Sequence, residues 1–290
     1  MNKPVFYITD VFGNKKYSGN QLATFINCDT FDSTEMQKIA REINFAETTF
    51  ITSLQKQNGG YNVRIFTPNY EVDFAGHPTL GTSFIINKYL ENGKAHKIIL
   101  NLKVGQIPVE IKNEEYRMQQ INPEFGNMLE INQLAGTLNL NPGYFNELFP
   151  IQEVSTGLPF IIVPLKKMNG LKKARINLEK HNSLIKKTSA KAILLFCPEV
   201  YEKGHTLSVR IFAPHYGVPE DPATGSANGC LAGYLIKNNY LGKTEIDIKV
   251  GQGYEIGRPS ELMLKAKHQN SKIDVFVGGK VNEIAEGFWK

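Results

Sequence analysis

Cysteine is scarce in this chain: Cys28, Cys197 and Cys230 are the only three in 290 residues. The number is odd, the spacings are wide and no CxxC occurs. That argues against a disulfide framework or a zinc knuckle and fits a reducing compartment. No stretch of about 18 apolar residues exists, the length a membrane helix needs. The opening MNKPVFYITD lacks the apolar run of a signal peptide. The expected location is the cytoplasm, with no membrane partner. Charge of one sign is also lacking. Lys plus Arg is 33 and Asp plus Glu is 28, for a net charge of +5. Spread over this length, that does not predict nucleic acid, whose binding needs a clustered basic face. The basic stretch 166–191 holds Lys166, Lys167, Lys172, Lys173, Arg175, Lys186, Lys187 and Lys191. It has no interleaved aromatics and glycines, and reads as a solvated helical face.

Several catalytic signatures are missing as well. Gly242-Lys243-Thr244 ends like a P-loop, but the earlier glycine of that motif would fall on Lys237. Gly251, Gly253 and Gly257 make GxGxxxG rather than the dinucleotide fingerprint GxGxxG. In Gly225-Ser226-Ala227-Asn228-Gly229 the serine follows the glycine directly, so this is not a nucleophile elbow. The six histidines include no HExxH and no close pair, which leaves a metal site unsupported. The chemistry is expected to run with no cofactor and no metal.

What is present is a globular composition, 41% hydrophobic and 21% charged. That suffices for one or two full cores, and a soft prior of roughly 150 residues per domain favours two. The chain also repeats itself. Val63-Arg64-Ile65-Phe66-Thr67-Pro68-Asn69-Tyr70 returns as Val209-Arg210-Ile211-Phe212-Ala213-Pro214-His215-Tyr216, an offset of 146. Lys103-Val104-Gly105-Gln106 returns as Lys249-Val250-Gly251-Gln252 at the same offset, and Glu115 returns as Glu261. Between these anchors, His77-Pro78-Thr79-Leu80-Gly81 faces Asp221-Pro222-Ala223-Thr224-Gly225 at offset 144. Two homologous halves are therefore expected, 1–126 and 127–290. A tail at 272–290 reads as two strands around Gly278-Gly279 and pairs back with the first half. Two copies imply a pseudo-twofold molecule with a ligand cleft between the halves.

Each copy reads alike. Residues 61–66 form a strand, a proline-containing loop follows, and a helix runs from His77 to Leu90 or from Asp221 to Lys237. Strands at 96–104 and 107–111 correspond to 244–250 and 253–257, with turns at Gly105-Gln106 and Gly251-Gln252. Both helices are apolar on most sides, which marks them as buried. Asp32 with Glu35 makes a capping box for a helix at 33–43, and 47–52 is a strand. The expected fold class is α+β: a curved, mostly antiparallel sheet around a central helix, twice.

The two helix starts are the informative feature. A polar residue precedes Pro, as a first-turn proline should. Asp221 is a good N-cap and His77 a poor one, so His77 needs another reason to be there. First-turn amides carry partial positive charge and can hold an anion. Gly76, Gly81 and Gly225 permit close backbone approach. Asp221 reads equally as cap or as site residue, and Ser226 is otherwise unremarkable. On pattern alone Glu47, at a strand start, would be exposed and structural.

At this point the motifs match a family. Asp10-Val11-Phe12 with Gly19-Asn20-Gln21-Leu22-Ala23 resembles the DVF…GNPLAV opening of the PhzF family, named for phenazine biosynthesis. Residues 40–50 resemble its ARE.N.SETTF, and Phe74–Gly81 and Glu220–Ala227 resemble its two helix-start motifs. The resemblance covers nearly the whole chain and implies the diaminopimelate epimerase-like fold. It implies cofactor-independent acid–base chemistry, as in the family's isomerisation of trans-2,3-dihydro-3-hydroxyanthranilate. Glu47 matches the family's proton carrier. His77, Asp221 and Ser226 match its remaining catalytic positions, and Asn20, Gly76, Thr79, Thr224 and Gly225 lie in the motifs expected to bind substrate.

A carboxyl in a water-poor cleft can both take and return a proton. The epimerase relatives use two cysteines at the helix starts. None stands there here, and Cys230 lies further along its helix, which disfavours a two-thiol racemase. Gln21 replaces the usual Pro, Ala46 a common Ser, and Asp73 a frequent Pro. These departures bear on substrate identity more than on mechanism. The expectation is an isomerase moving a proton on a small carboxylate, against the alternatives of an amino-acid-type epimerase or racemase and a non-catalytic anion-binding protein. The resemblance and the general preference for twofold symmetry point to a homodimer.

Overall fold

The computed structural model describes residues 3–290. The chain divides into two compact units. One contains the residues up to Met118 together with Gly278–Lys290, and the other is Gln119–Val277. The first half supplies β1 (Val5–Val11), β2 (Asn20–Ile26), α1 (Ser33–Ile43), β3 (Glu47–Ile51), β4 (Tyr61–Phe66), β5 (Glu71–Val72), α2 (Gly76–Ile85), β6 (Lys97–Leu102), β7 (Gly105–Lys112) and β8 (Glu115–Gln120). There follow β9 (Glu124–Leu129), α3 (Ile131–Leu138), β10 (Ile151–Ser155), β11 (Pro159–Pro164), α4 (Met168–Lys173), α5 (Leu178–Ile185), β12 (Ala192–Cys197) and β13 (Leu207–Phe212). The chain ends with α6 (Gly225–Lys237), β14 (Glu245–Gln252), β15 (Ser260–Gln269), β16 (Lys272–Gly279) and β17 (Val281–Phe288).

Strand pairing shows the duplication directly. In the first unit β17, β1, β2, β3, β4, β6, β7 and β8 follow one another, antiparallel except for β2 with β3 and β4 with β6. In the second, β9 to β15 follow in order, antiparallel except for β11 with β12 and β13 with β14. The six pairs of the second unit repeat, in order and orientation, the first six of the first unit. Each unit carries one central helix wrapped by the curved sheet. Helix α2 packs on β1, β2, β3, β6, β7 and β17, and α6 on β10, β11, β14 and β15. Only Phe84 of α2, and Ser226 and Lys237 of α6, escape full burial, as helices apolar on most sides require. The C-terminal strand β17 pairs with β1 from Val5 opposite Phe288 to Val11 opposite Val281. Lys280, rather than Gly278-Gly279, separates the last two strands.

Local chemistry explains the elements that were legible. Asp32 caps α1, its carboxylate accepting the Glu35 N–H at 2.8 Å, and Asn44 closes the helix in the left-handed region. Strand β12 (Ala-Ile-Leu-Leu-Phe-Cys) is buried on both faces, as its unbroken apolar run and parallel neighbour predict. The lysines at 166–187 are exposed, in keeping with a solvated face.

Register corrects several expectations. Strands β4 and β13 do sit at offset 146, but α2 starts at Gly76 and α6 at Gly225, an offset of 149. The second loop is thus three residues longer, and the counterpart of His77 is Ser226 rather than Asp221. Thr224, not Asp221, is the N-cap of α6. The expected helix to Leu90 is α-helical only to Ile85 and continues as a π-turn through Ile86–Leu90. Asn62 lies opposite Asn101 in one unit and Ser208 opposite Gly251 in the other. The two Lys-Val-Gly-Gln runs are therefore out of register. In the first, Lys103-Val104 make the turn and Gly105 opens β7; in the second, all four residues belong to β14. The turn expected at 251–252 and the strand at 253–257 give way to a loop with a 3-10 turn at Tyr254–Ile256. Gly253 there has φ 80°, and a Cβ on it would meet the Arg258 carbonyl at 2.3 Å, so the chain reverses at that glycine. Glu261 lies within β15, whereas Glu115 opens β8.

Candidate active site

Glu47 is the first residue of β3, which runs parallel to β2 with Glu47 in register with Leu22. Side chains alternate along a strand, so Glu47 and Thr49 share a face. Thr49 accepts a hydrogen bond from Thr82 of α2, so that face looks onto the helix. His77, the second residue of α2, places its Nε2 3.4 Å from Glu47 Oε2. Both atoms are shut off from water. Burial pushes the His77 imidazole down to about 3, against the opposing effect of a hydrogen bond to the Gln21 backbone. The ring is therefore neutral at pH 7. Its approach to Glu47 is a contact between a neutral imidazole and a carboxyl, not an ion pair. At 3.4 Å it is slightly longer than a formed hydrogen bond, a separation that a bound substrate can close.

The other candidates of this unit are placed with similar economy. Asn20 opens β2 and is buried, and Gly76 is the buried first residue of α2. Asn20, Glu47, Gly76 and His77 thus stand at the starts of β2, β3 and α2. Thr79 is buried, but its hydroxyl donates to the Ala75 carbonyl at 2.8 Å, within its own helix.

In the second unit, Thr224, Gly225 and Ser226 are the N-cap and first two residues of α6. Asp221 lies in the loop before it, and its carboxylate accepts the Thr224 hydroxyl. Its backbone carbonyl accepts Gln252 Nε2 at 2.7 Å. Gln252 Oε1 accepts Asn228 Nδ2 at 2.8 Å and the Thr224 N–H at 3.3 Å. On the other side, Gln120 Nε2 donates to the Gly225 carbonyl at 3.1 Å while its Oε1 accepts the Thr156 hydroxyl at 2.6 Å. Gly229 makes room for that amide, since a Cβ there would lie 1.7 Å from Gln120 Oε1. Sequence reasoning missed Gln120, Asn228 and Gln252. Gln252 ends a repeated motif, but only its burial identifies it as a brace. Neither N-cap residue, Ala75 or Thr224, caps its helix with its own side chain.

The thiols offer no base. Burial raises Cys230 to about 11, and the Thr156 hydroxyl is 3.5 Å from its sulfur. Among the described residues, no three His, Cys, Asp or Glu side chains are grouped to hold a metal ion, and no helix is long and apolar enough to cross a membrane. A cavity of about 700 Å³ in the second unit, lined by Phe125, Lys237, Lys243, His268 and Lys272 among others, contains none of the candidate residues. Its lysines are exposed and solvated.

A sheet-wrapped helix used twice is a fold found among racemases and isomerases. The crystal structure of a probable proline racemase from Agrobacterium radiobacter superposes with a TM-score of 0.64 over 99% of this chain and 93% of that one, at 10% identity, a likeness of fold alone. The family model of the phenazine biosynthesis-like proteins, PhzC-PhzF, matches residues 9–287, and the chain belongs to that family. It is 31% identical over 288 residues to the trans-2,3-dihydro-3-hydroxyanthranilate isomerase of Pseudomonas aeruginosa, covering 97% of this chain and 98% of that protein. The crystal structure of a PhzF-family phenazine biosynthesis protein from Bacillus anthracis superposes with a TM-score of 0.91 at 27% identity, over the whole of both chains. The protein is a small-molecule isomerase of this family.

Proposed function

We propose that the protein moves a proton between two carbons of a small carboxylate-bearing substrate, with Glu47 as the acid/base. The reading rests on one observation: a carboxyl 3.4 Å from a buried, neutral imidazole at the mouth of a helix. Glu47 takes the proton from one carbon. The C–H electron pair moves into the substrate's conjugated system, a double bond shifts, and Glu47 returns the proton to a second carbon. No redox step is involved. The neutral His77 ring hydrogen-bonds the carboxyl or a substrate heteroatom without a second charge to neutralise. First-turn amides of α2, beginning with Gly76 and His77, stabilise developing negative charge. Asn20 and Thr79 belong to the same proposal as binding residues. So do Thr224 and Gly225, with Asp221 and Ser226 as the catalytic residues of the second unit. The isomerase relative of P. aeruginosa makes its dihydro-hydroxyanthranilate the first compound to try.

Racemisation of an amino acid is the poorer reading. It needs acids on both faces of the carbon, and the residues preceding the two helices are Ala75 and Thr224. The test is solvent deuterium incorporation into trans-2,3-dihydro-3-hydroxyanthranilate and a panel of small carboxylates. Glu47→Gln is expected to lower exchange by about 10²–10⁴-fold, the usual worth of a positioned acid/base. Exchange by this variant at the native rate removes Glu47 from the mechanism.

A further inference from the structure

Three fully buried threonines lie between α2 and the sheet beneath it. Thr82 Oγ1 donates to Thr49 Oγ1 at 2.8 Å, and Thr49 Oγ1 donates to Thr24 Oγ1 at 2.9 Å. All three residues have zero exposure. Thr49 is two residues beyond Glu47 on the same face of β3, about 6.6 Å along the strand. Thr82 is five residues beyond His77 on α2, about 7.5 Å along the helix. Glu47 with His77 and Thr49 with Thr82 are therefore neighbouring rungs between one strand and one helix. Gly81 lets the helix sit close to the sheet here, since a Cβ on it would meet Leu22 Cδ2 at 2.6 Å and Val11 Cγ2 at 2.8 Å.

Packing alone does not call for these hydroxyls. Valine has the same shape and avoids the cost of taking a polar group out of water. A side-chain hydrogen bond adds what a methyl contact lacks, which is direction and a narrow range of distance. We infer that the Thr82–Thr49–Thr24 hydroxyl chain sets the register of α2 against β3 and thereby holds His77 at its distance from Glu47. Thr49 and Thr82 are positioning residues of that pair. The catalytic consequence rests on the function proposed above; the positioning itself does not.

The test follows the His77 ring directly, by NMR titration of the full chain between pH 7.5 and 3.5, with His77→Gln identifying its signals. Wild type and Thr82→Ser keep the ring neutral to about pH 4. Thr82→Val loosens the rung, admits water and moves the titration upward by about one pH unit or more. Thr49→Val does the same from the strand side, which covers the case in which Thr82→Val fails to fold. The Thr49→Val/Thr82→Val double variant shifts no further than Thr49→Val alone, because Thr49→Val already removes both bonds of the chain. An unchanged titration in both valine variants, or an equal shift in Thr82→Ser, overturns the inference. Activity is read separately. A shifted titration in a protein whose wild type exchanges no proton on any substrate leaves the positioning standing and sinks the proposed function. With exchange present, Thr82→Val lowers kcat and Thr82→Ser restores it; an unchanged kcat in Thr82→Val overturns the catalytic part.

Discussion

Replacing His77 with Gln should change how the first unit responds to acid, by an amount that follows from burial. The imidazole is held down to about 3, against 6.5 for the free side chain, because the charged ring would lose its water. Between those values the unfolded chain takes up a proton at this site and the folded chain does not. Its stabilising effect is fully present above pH 6.5 and is lost as pH falls toward 3. At about 1.4 kcal/mol per unit, some 2.5 units of the window are crossed by pH 4, a loss of about 3 kcal/mol. His77→Gln keeps a polar side chain of similar reach but binds no proton. The gap in unfolding free energy between wild type and variant should therefore move by about 3 kcal/mol in the variant's favour from pH 7 to pH 4. Trp289, the single tryptophan, packs edge-on against Phe6 and Phe25 in the same unit. Urea unfolding followed by its fluorescence reads the right part of the molecule. Parallel pH curves for the two proteins would show that the folded ring takes up its proton near the ordinary value. Burial would then not be what keeps the ring uncharged, and the reasoning from excluded water would fall.

Two other outcomes follow from pairs and thiols. The bidentate Arg210–Glu220 pair has its arginine 3% exposed and its glutamate 12%, whereas its duplicate, Arg64–Glu71, is 28% and 16% exposed. Arg210→Gln strands a buried carboxylate and should cost the second unit about 3–5 kcal/mol. Arg64→Gln should cost the first about 1 kcal/mol or less, as read by chemical unfolding; equal costs would refute burial as the controlling factor. Burial raises Cys28 to about 12, and Cys197 and Cys230 to about 11. At pH 7.5 a thiol reagent should modify none of the three in the native protein and all three in urea. Rapid labelling of native Cys230 would reopen thiol chemistry.

Much of the architecture was legible in local pattern. Strand β4 and its duplicate β13 announce themselves by alternation and near-identity, and α1 by its Asp32 cap. The burial of α2 and α6 follows from helices with no polar face. The candidate residues were legible only as motif members. Glu47 by itself looks like an exposed strand-start acid, and His77 like a poor cap. The matching Lys-Val-Gly-Gln runs show the limit of such reading, because identical residues at a constant offset occupy a turn in one unit and a strand end in the other. A loop longer by three residues had already shifted the helix start, and strand pairing shifted the next strand again.

The sequence by itself determined the duplicated elements, the family and the short list of residues, because propensity, periodicity and motif act within a segment. Tertiary structure decided which residues correspond between the copies and that Ser226, not Asp221, stands where His77 does. It also decided that a glutamate and a histidine 30 residues apart meet at 3.4 Å. Register depends on loop length and on hydrogen bonds between distant strands. The neutrality of His77 depends on the water excluded around it. Neither quantity belongs to a segment, so neither can be read until the segments are packed.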